Sequence, residues 1–323
     1  MPPRRLTIVT PVLDDWDAFQ RLVVGLAAAA STSGVRAEVI AVDDGSSRPP
    51  AASSFTLPAG GALASLAIVR LALNLGHQRA IAIGLAEAAS RGDGDAVLVM
   101  DSDGEDRPED VPALLAALAA DPAAVIFAQR ARRSESVVFK LGHAAYKLAF
   151  RLLAGRTVDF GNFSLLTMPA VERLTHMPEL WNNLPAAVMR SRLAYRTVPT
   201  TRGTRYSGVS KMNWVALVLH GMSALSVYTD VIFVRLLFAA GVVAALAVLG
   251  IVAAIVIRVA TSLAIPGWAT TVVGVFSILL VQMVVAVAVT ALSILAGRSG
   301  RPFVPKYDCA QFIAGRERID ASP

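Results

Sequence analysis

Cysteine is all but missing from this 323-residue chain. Cys309 stands alone, which excludes an internal disulfide and a multi-cysteine zinc site and suits a reducing compartment. Histidine is scarce as well: His77, His143, His176 and His220 are scattered without metal-ligand spacing. No G-x-G-x-x-G follows the first predicted strand, and no G-x-x-x-x-G-K-S/T occurs anywhere, which argues against a dinucleotide oxidoreductase and a P-loop NTPase. There is no repeat of fixed period. Acidic residues are outnumbered, 24 to 30, for a net charge of +6. No basic strand interleaved with aromatics supports nucleic-acid binding, so the excess better fits a body resting on an anionic leaflet.

What the chain has in abundance is apolar sequence. Hydrophobic residues make up 55% and the mean hydropathy is +0.57, above the roughly 45–50% of an average soluble globule. The excess is concentrated in 236–257 and 268–296, which hold no charged residue. As helices, both are long enough to cross a hydrocarbon core of about 30 Å, so two transmembrane spans are predicted. Arg235 precedes the first; Arg298, Arg301 and Lys306 follow the second; the connector carries only Arg258. This asymmetry places both ends in the cytoplasm of a bacterial-looking membrane protein, the last stretch, 298–323, being a cytoplasmic tail. The stretch 213–234, broken by His220, Gly221 and Asp230, predicts one or two interfacial helices, with a third span as the weaker option. The opening MPPRRLTIVTPVLDDW is too short in its apolar part for a signal peptide and reads as a first strand.

Residues 1 to 165 alternate. LTIVTPVL, AEVIAVDD, SLAIVRLA, AVLVMD and AVIFAQR are strand-like, and helical stretches such as HQRAIAIGLAEAASR separate them. That order predicts an α/β fold with a mostly parallel sheet covered on both faces, its ligands gathered beyond the carboxyl ends of the strands. Asp43 and Asp44 end the second strand, and Asp101 and Asp103 the fourth, so all four should meet along one edge. Asp101 and Asp103 stand at i and i+2, where side chains of an extended segment point the same way; with Glu105 they form either a divalent-cation site or a polar loop. An EF-hand loop is excluded, since Asp106 stands where glycine is needed and Pro112 where the closing glutamate is needed.

Two basic stretches follow, QRARRSES with Lys140 behind it, and TTRGTRYSGVSKMNW. Each reads as a headgroup-level collar or as a phosphate-binding patch, and having two beside the membrane favours the second. Between them, Asp159 in VDFGNFSLL is either paired with an arginine or set to meet a reacting group.

The order TIVTPVLDD, VDDGS, NLGHQRAIAIGLAEA, MDSDGEDRPE, a basic segment, DFGNF and RYSGVSKMNW, ending in two spans, resembles the polyprenyl-phosphate glycosyltransferases of glycosyltransferase family 2, relatives of dolichyl-phosphate mannose synthase. The resemblance covers nearly the whole chain. It implies a cytoplasmic GT-A-type domain over 1–212 and an inverting transfer of sugar from a nucleoside-diphosphate sugar, preferably a UDP-sugar, to polyprenyl (undecaprenyl) phosphate. By it, Pro11, Asp15, Asp43, Asp44 and Asp101 hold the nucleotide, and Asp101, Asp103 and Glu105 bind Mn2+ or Mg2+. Arg130 and Arg133, with Ser136 and Lys140, contact the lipid phosphate; Arg205, Ser210 and Lys211 close over the phosphates; Asp159 falls at an acid sometimes proposed as base. Asp103, Asp159, Arg130 and Arg205 are thus the expected catalytic group, and a homo-oligomer, a tetramer in relatives, is implied.

The chain departs from the pattern at Leu13, where an aromatic is usual, and at Asp14 and Asp15, Glu105 and Arg107, where asparagine–glutamate, glutamine and proline are usual. Rival readings are a membrane glycosyltransferase with another lipid or glycan acceptor, a processive synthase, a flippase and a non-catalytic scaffold. The synthase lacks its Q-x-x-R-W signature here, and two spans hardly enclose a flippase path.

Overall fold

The computed structural model describes the chain except residues 1–2, 52–53, 59–60, 131–136, 157–159, 207–213, 262–266 and 322–323. In chain order its elements are β1 (Arg5–Val12), α1 (Trp16–Ser33), β2 (Arg36–Asp43), β3 (Leu63–Leu71), α2 (His77–Arg91), β4 (Ala96–Val99), α3 (Val111–Ala120), β5 (Val125–Arg130) and α4 (Val137–Ala154). There follow β6 (Ser164–Thr167), α5 (Met168–Thr175), α6 (Leu184–Arg190), β7 (Tyr195–Thr200), α7 (Trp214–Ser226), α8 (Thr229–Ala260), α9 (Trp268–Ser299), the short α10 (Pro305–Asp308) and β8 (Ile313–Asp320). They divide into two compact units: 1–148 with 157–227 and 303–323, and 149–156 with 228–302.

In the first unit the strands form one eight-stranded sheet in the order β7-β5-β6-β4-β1-β2-β3-β8. β1 pairs in parallel with β2 and β4, β2 with β3, and β5 with β7, while β6 and β8 run antiparallel to their neighbours. The central strands are buried on both faces, which is why they read as continuous apolar runs and not as alternating ones. Successive residues still serve opposite cores. Leu6 and Ile8 pack with Phe19 and Leu22 of α1, whereas Val9 packs with Ile81 and Leu85 of α2. Phe19 and Phe127 are fully enclosed, each side chain contributing about 1.5–3 kcal/mol by its removal from water.

Three strands lie outside the sequence expectation. β6 is four residues long, too short to show a period, and β7 (YRTVPT) is a largely exposed edge strand that tolerates Pro199 because an edge position asks less of the backbone. The third is the larger correction. The stretch expected as a tail returns to the sheet: β8 pairs antiparallel with β3, with Leu66 opposite Ile319 and Val69 opposite Arg316. Phe303 and Phe312 close on Trp181, Lys306 reaches Glu172 at 3.0 Å, and Arg70 joins Glu317 at 2.5 Å to Asp43 at 3.3 Å.

In the second unit α8 and α9 pack on one another, and both are long and apolar enough to cross a membrane. Little of their most apolar stretches is buried within the chain. The break expected near His220 and Gly221 does not interrupt α7, which runs through both. Asp230 falls in the first turn of α8, where a carboxylate is favoured by the helix dipole, so this helix starts earlier than the predicted span. The Arg235 guanidinium donates to the carbonyls of Arg151 (3.2 Å) and Leu152 (2.7 Å), satisfying the last turn of α4.

The returning segment buries Cys309. Burial, then the Asp308 charge, pushes its thiol up to about 12, against about 8.5 for a free cysteine. A raised folded pKa adds stability that is complete below the unfolded value and is lost as pH climbs toward the folded one. Iodoacetamide at pH 8 is therefore expected to leave Cys309 unmodified in the folded protein and to modify it fully in denaturant. Rapid native labelling, read by mass spectrometry, would show that the segment does not stay docked.

Candidate active site

The carboxyl ends of β1, β2, β3, β4, β5 and β7 share one rim, because these strands run in one direction. β1 lies between β4 and β2, so the chain leaves it to opposite sides and opens the crevice where such sheets hold ligands. The acids predicted to meet there stand on this rim.

After β1 the chain turns sharply. Asp14 has φ 59, a left-handed conformation that costs a non-glycine residue about 1 kcal/mol or more and that Asp tolerates better than most. Its carboxylate accepts from the Ser47 amide (2.7 Å) and hydroxyl (2.9 Å), while Ser46 Oγ accepts from the Asp14 amide (3.0 Å) and Trp16 Nε1 (3.2 Å). The loops after β1 and β2 are thus sewn together, with Pro11 buried beneath them and Asp15 half-buried at the start of α1. Asp43 is buried, accepting from the Ser46 amide at 2.9 Å and pairing with Arg70. Asp44 is buried too and accepts from the amides of Leu75 (2.7 Å) and Gly76 (3.0 Å) at the entrance to α2. Burial raises the Asp44 pKa, and those two amides pull it only part of the way back.

The loop after β4 is built from its own carboxylates. Asp106 accepts from the Asp101 amide at 3.0 Å and Asp103 Oδ1 from the Glu105 amide at 2.8 Å. Across it lies the segment 201–206, which follows β7. The Gly203 amide donates to the Glu105 carbonyl (2.9 Å) and the Tyr206 amide to the Asp103 carbonyl (2.8 Å). Arg205 pairs with Asp103 Oδ2 at 2.5 Å, Arg202 grips both oxygens of Glu105 at 2.6 and 3.1 Å, Arg107 reaches Thr201 at 2.7 Å, and Arg21 reaches the Tyr206 carbonyl at 3.2 Å. Two glycines permit the contact. Gly104, at φ 88, lies under the Tyr206 ring, 2.7 Å from where a Cβ would sit, and a Cβ on Gly203 would stand 2.2 Å from the Gly104 carbonyl.

His77, at the start of α2, lies 3.1 Å from both Asp101 Oδ1 and Asn162, and Gln78 links Asn162 to the Leu184 amide. His77 and Asn162 are site residues that spacing alone did not mark; they join the acid loop through the 3.1 Å contact of His77 with Asp101. Arg202 belongs to the second basic stretch, and the fold turns it onto Glu105.

The expected ligand set is reshaped. Among the described residues no three His, Cys, Asp or Glu side chains converge as a preformed cage, because Arg202 engages Glu105 and Arg205 engages Asp103. Asp101 and Asp103 still suit a hard divalent ion, which takes one or two carboxylates and completes its shell from phosphates and water. Burial pushes Asp103 up, and the Asp101 and Glu105 charges add to it against the Glu105 amide and Arg205.

Arg130 ends β5 and Lys140 lies in α4. Arg130 is in register with Thr200, the last residue of the parallel β7. Arg133, Ser136, Asp159, Ser210 and Lys211 lie outside the described residues.

Residues 7–174 match the family described as Glycosyl transferase family 2. Among curated proteins, the chain is similar to undecaprenyl-phosphate 4-deoxy-4-formamido-L-arabinose transferase of Pectobacterium carotovorum subsp. carotovorum, 27% identical over 67% of this chain and 64% of that protein. The same transferase of Klebsiella pneumoniae is 26% identical over 67% and 65%. The chain thus spans less than two thirds of the length of these relatives. Among solved structures, glucosyl-3-phosphoglycerate synthase from Mycobacterium tuberculosis, in complex with Mn2+, UDP-glucose and phosphoglyceric acid, is 14% identical over 71% of this chain and 80% of that one, with a TM-score of 0.49.

Replacing Asp44 by alanine removes the acceptor of two amides at the entrance to α2. The expected loss is about 1–3 kcal/mol, the cost of leaving such donors unsatisfied, with Asp44→Asn, which keeps one oxygen, losing less. Thermal unfolding followed by tryptophan fluorescence measures both; equal midpoints for all three proteins would mean the carboxylate does not hold this turn.

Proposed function

The chain belongs to glycosyl transferase family 2, and from that membership we propose that it moves a sugar from a nucleoside-diphosphate donor, UDP-linked by preference, to a polyprenyl phosphate at the cytoplasmic membrane face. The observation that carries this reading is the meeting of the acid loop, Asp101 to Glu105, with the basic segment 201–206 at the rim of a parallel sheet, in a chain with two apolar helices. The undecaprenyl-phosphate sugar transferases to which the chain is similar support undecaprenyl phosphate as acceptor.

The chemistry asks for charge management more than for a strong base. A lipid phosphate is largely ionised at neutral pH, its second pKa being about 6, so the nucleophile needs alignment and not deprotonation. A divalent ion held by Asp101 and Asp103, Mn2+ or Mg2+, would neutralise the charge that builds on the leaving diphosphate. Pro11, Asp15, Asp43 and Asp44 shape the nucleotide side, the last two as buried tethers of the loops around it. Arg130, Arg133, Ser136, Lys140, Ser210 and Lys211 are assigned to the lipid phosphate. Arg205, paired with Asp103, and Arg130, at the end of β5, are assigned to hold two anions in line, a task in which positioning is worth several orders of magnitude in rate. In-line displacement inverts the anomeric carbon, and Asp159 then serves as a structural acid or as an auxiliary base.

The spans keep this body where the acceptor headgroup lies. The pairing of β8, made after both spans, with β3, made before them, requires an even number of crossings between them. With the flanking arginines this supports cytoplasmic termini. Homo-oligomerisation is proposed on the resemblance alone.

Membranes containing the protein are to be incubated with radiolabelled nucleotide sugars and undecaprenyl phosphate. A labelled lipid is expected with one donor, and Asp103→Asn should lower its yield by roughly a hundredfold or more, the usual cost of removing one preorganised electrostatic contact. Undiminished transfer by the variant, or no labelled lipid from any donor, would reject the assignment.

A further inference from the structure

Both oxygens of Asp103 are engaged: Oδ1 takes the Glu105 amide at 2.8 Å, and Oδ2 takes Arg205 at 2.5 Å. The arginine does not arrive alone. It belongs to a strap, 201–206, stitched to the acid loop by two backbone hydrogen bonds and by the Arg202–Glu105 pair. The Glu105 charge therefore holds the strap. A guanidinium at this distance and a divalent ion on the same carboxylate repel each other strongly in a partly desolvated loop.

Resting on the reading of this rim as the donor site, we propose that Arg205 is the resident counter-ion of Asp103 and competes with the divalent ion for it, so that ion and diphosphate enter as a unit. The arriving diphosphate offers Arg205 a second anion, and Asp103 passes from the arginine to the ion. Arg202 and Glu105 act as positioning residues that keep Arg205 over the loop between turnovers. The exchange leaves Asp103 with a cation in either state. It also gives Arg205 two partners in sequence, an acid and then a phosphate, both of which suit the planar fork of its guanidinium.

Competition of this kind has a signature that a plain phosphate ligand lacks. Removing the charge of Arg205 should strengthen binding of the ion when no nucleotide is present. The full-length protein in detergent is titrated with Mn2+ alone, the free ion being read by electron paramagnetic resonance. Arg205→Gln is expected to bind Mn2+ about tenfold more tightly than the unmodified protein, within the usual range of coupling between two ligands. Arg205→Lys, which restores the charge, should return the affinity to within about threefold of the unmodified value. With UDP present, the advantage of Arg205→Gln should disappear, because nucleotide binding loses its arginine.

Equal or weaker binding of Mn2+ alone by Arg205→Gln overturns the exchange and leaves the donor site standing. Failure of both proteins to bind Mn2+ at all, with or without UDP or GDP, overturns the donor-site reading and the exchange with it. Stronger binding by Arg205→Lys as well as by Arg205→Gln counts against competition by charge and overturns the proposal in this form.

Discussion

A parallel sheet constrains where a chain can place its loops. Every strand of one direction ends on the same rim, so the segments after β1, β2, β4 and β7 are forced together even though some 190 residues separate the first from the last. The acid loop after β4 and the basic strap after β7 meet for this reason, and their charges then fix the local geometry. Neither loop is regular structure. Each is held by the other, through Asp103 and Glu105 on one side and Arg205 and Arg202 on the other.

Half-buried ion pairs are poor devices for stability, because desolvation offsets most of the attraction, but they specify arrangement well. That balance fits the proposed exchange of cations on Asp103. The buried acids behind it, Asp43 and Asp44, are used differently: they hold backbone amides and Arg70, and so give the rim a rigid floor. Rigid floor and exchangeable surface are separate properties carried by neighbouring carboxylates.

Much of this could be read from the residues. The strands buried on both faces announce themselves as valine- and isoleucine-rich runs, and the two uncharged helices are plain from composition. Asp101 and Asp103 could be placed on the rim because they follow such a run. What stayed hidden has physical causes. β6 is too short to show a period, and β7 is an exposed edge with a proline in it. β8 does alternate, IAGRERID, but it follows two spans and carries four charges, so its register depends on β3, far off in the chain. His77 and Asn162 are far apart in the chain and meet only through the fold, which also sets His77 against Asp101. The preference of Glu105 for Arg202 over a ligand set was likewise invisible, since it depends on which loop lands opposite.

The return of β8 to the sheet orders events during synthesis. Domains fold largely as they emerge, amino-terminal part first. Here the strand that covers β3 leaves the ribosome only after both hydrophobic helices, so until then β3 presents a bare row of amides and carbonyls. Completion of the sheet therefore waits for the synthesis of both apolar helices.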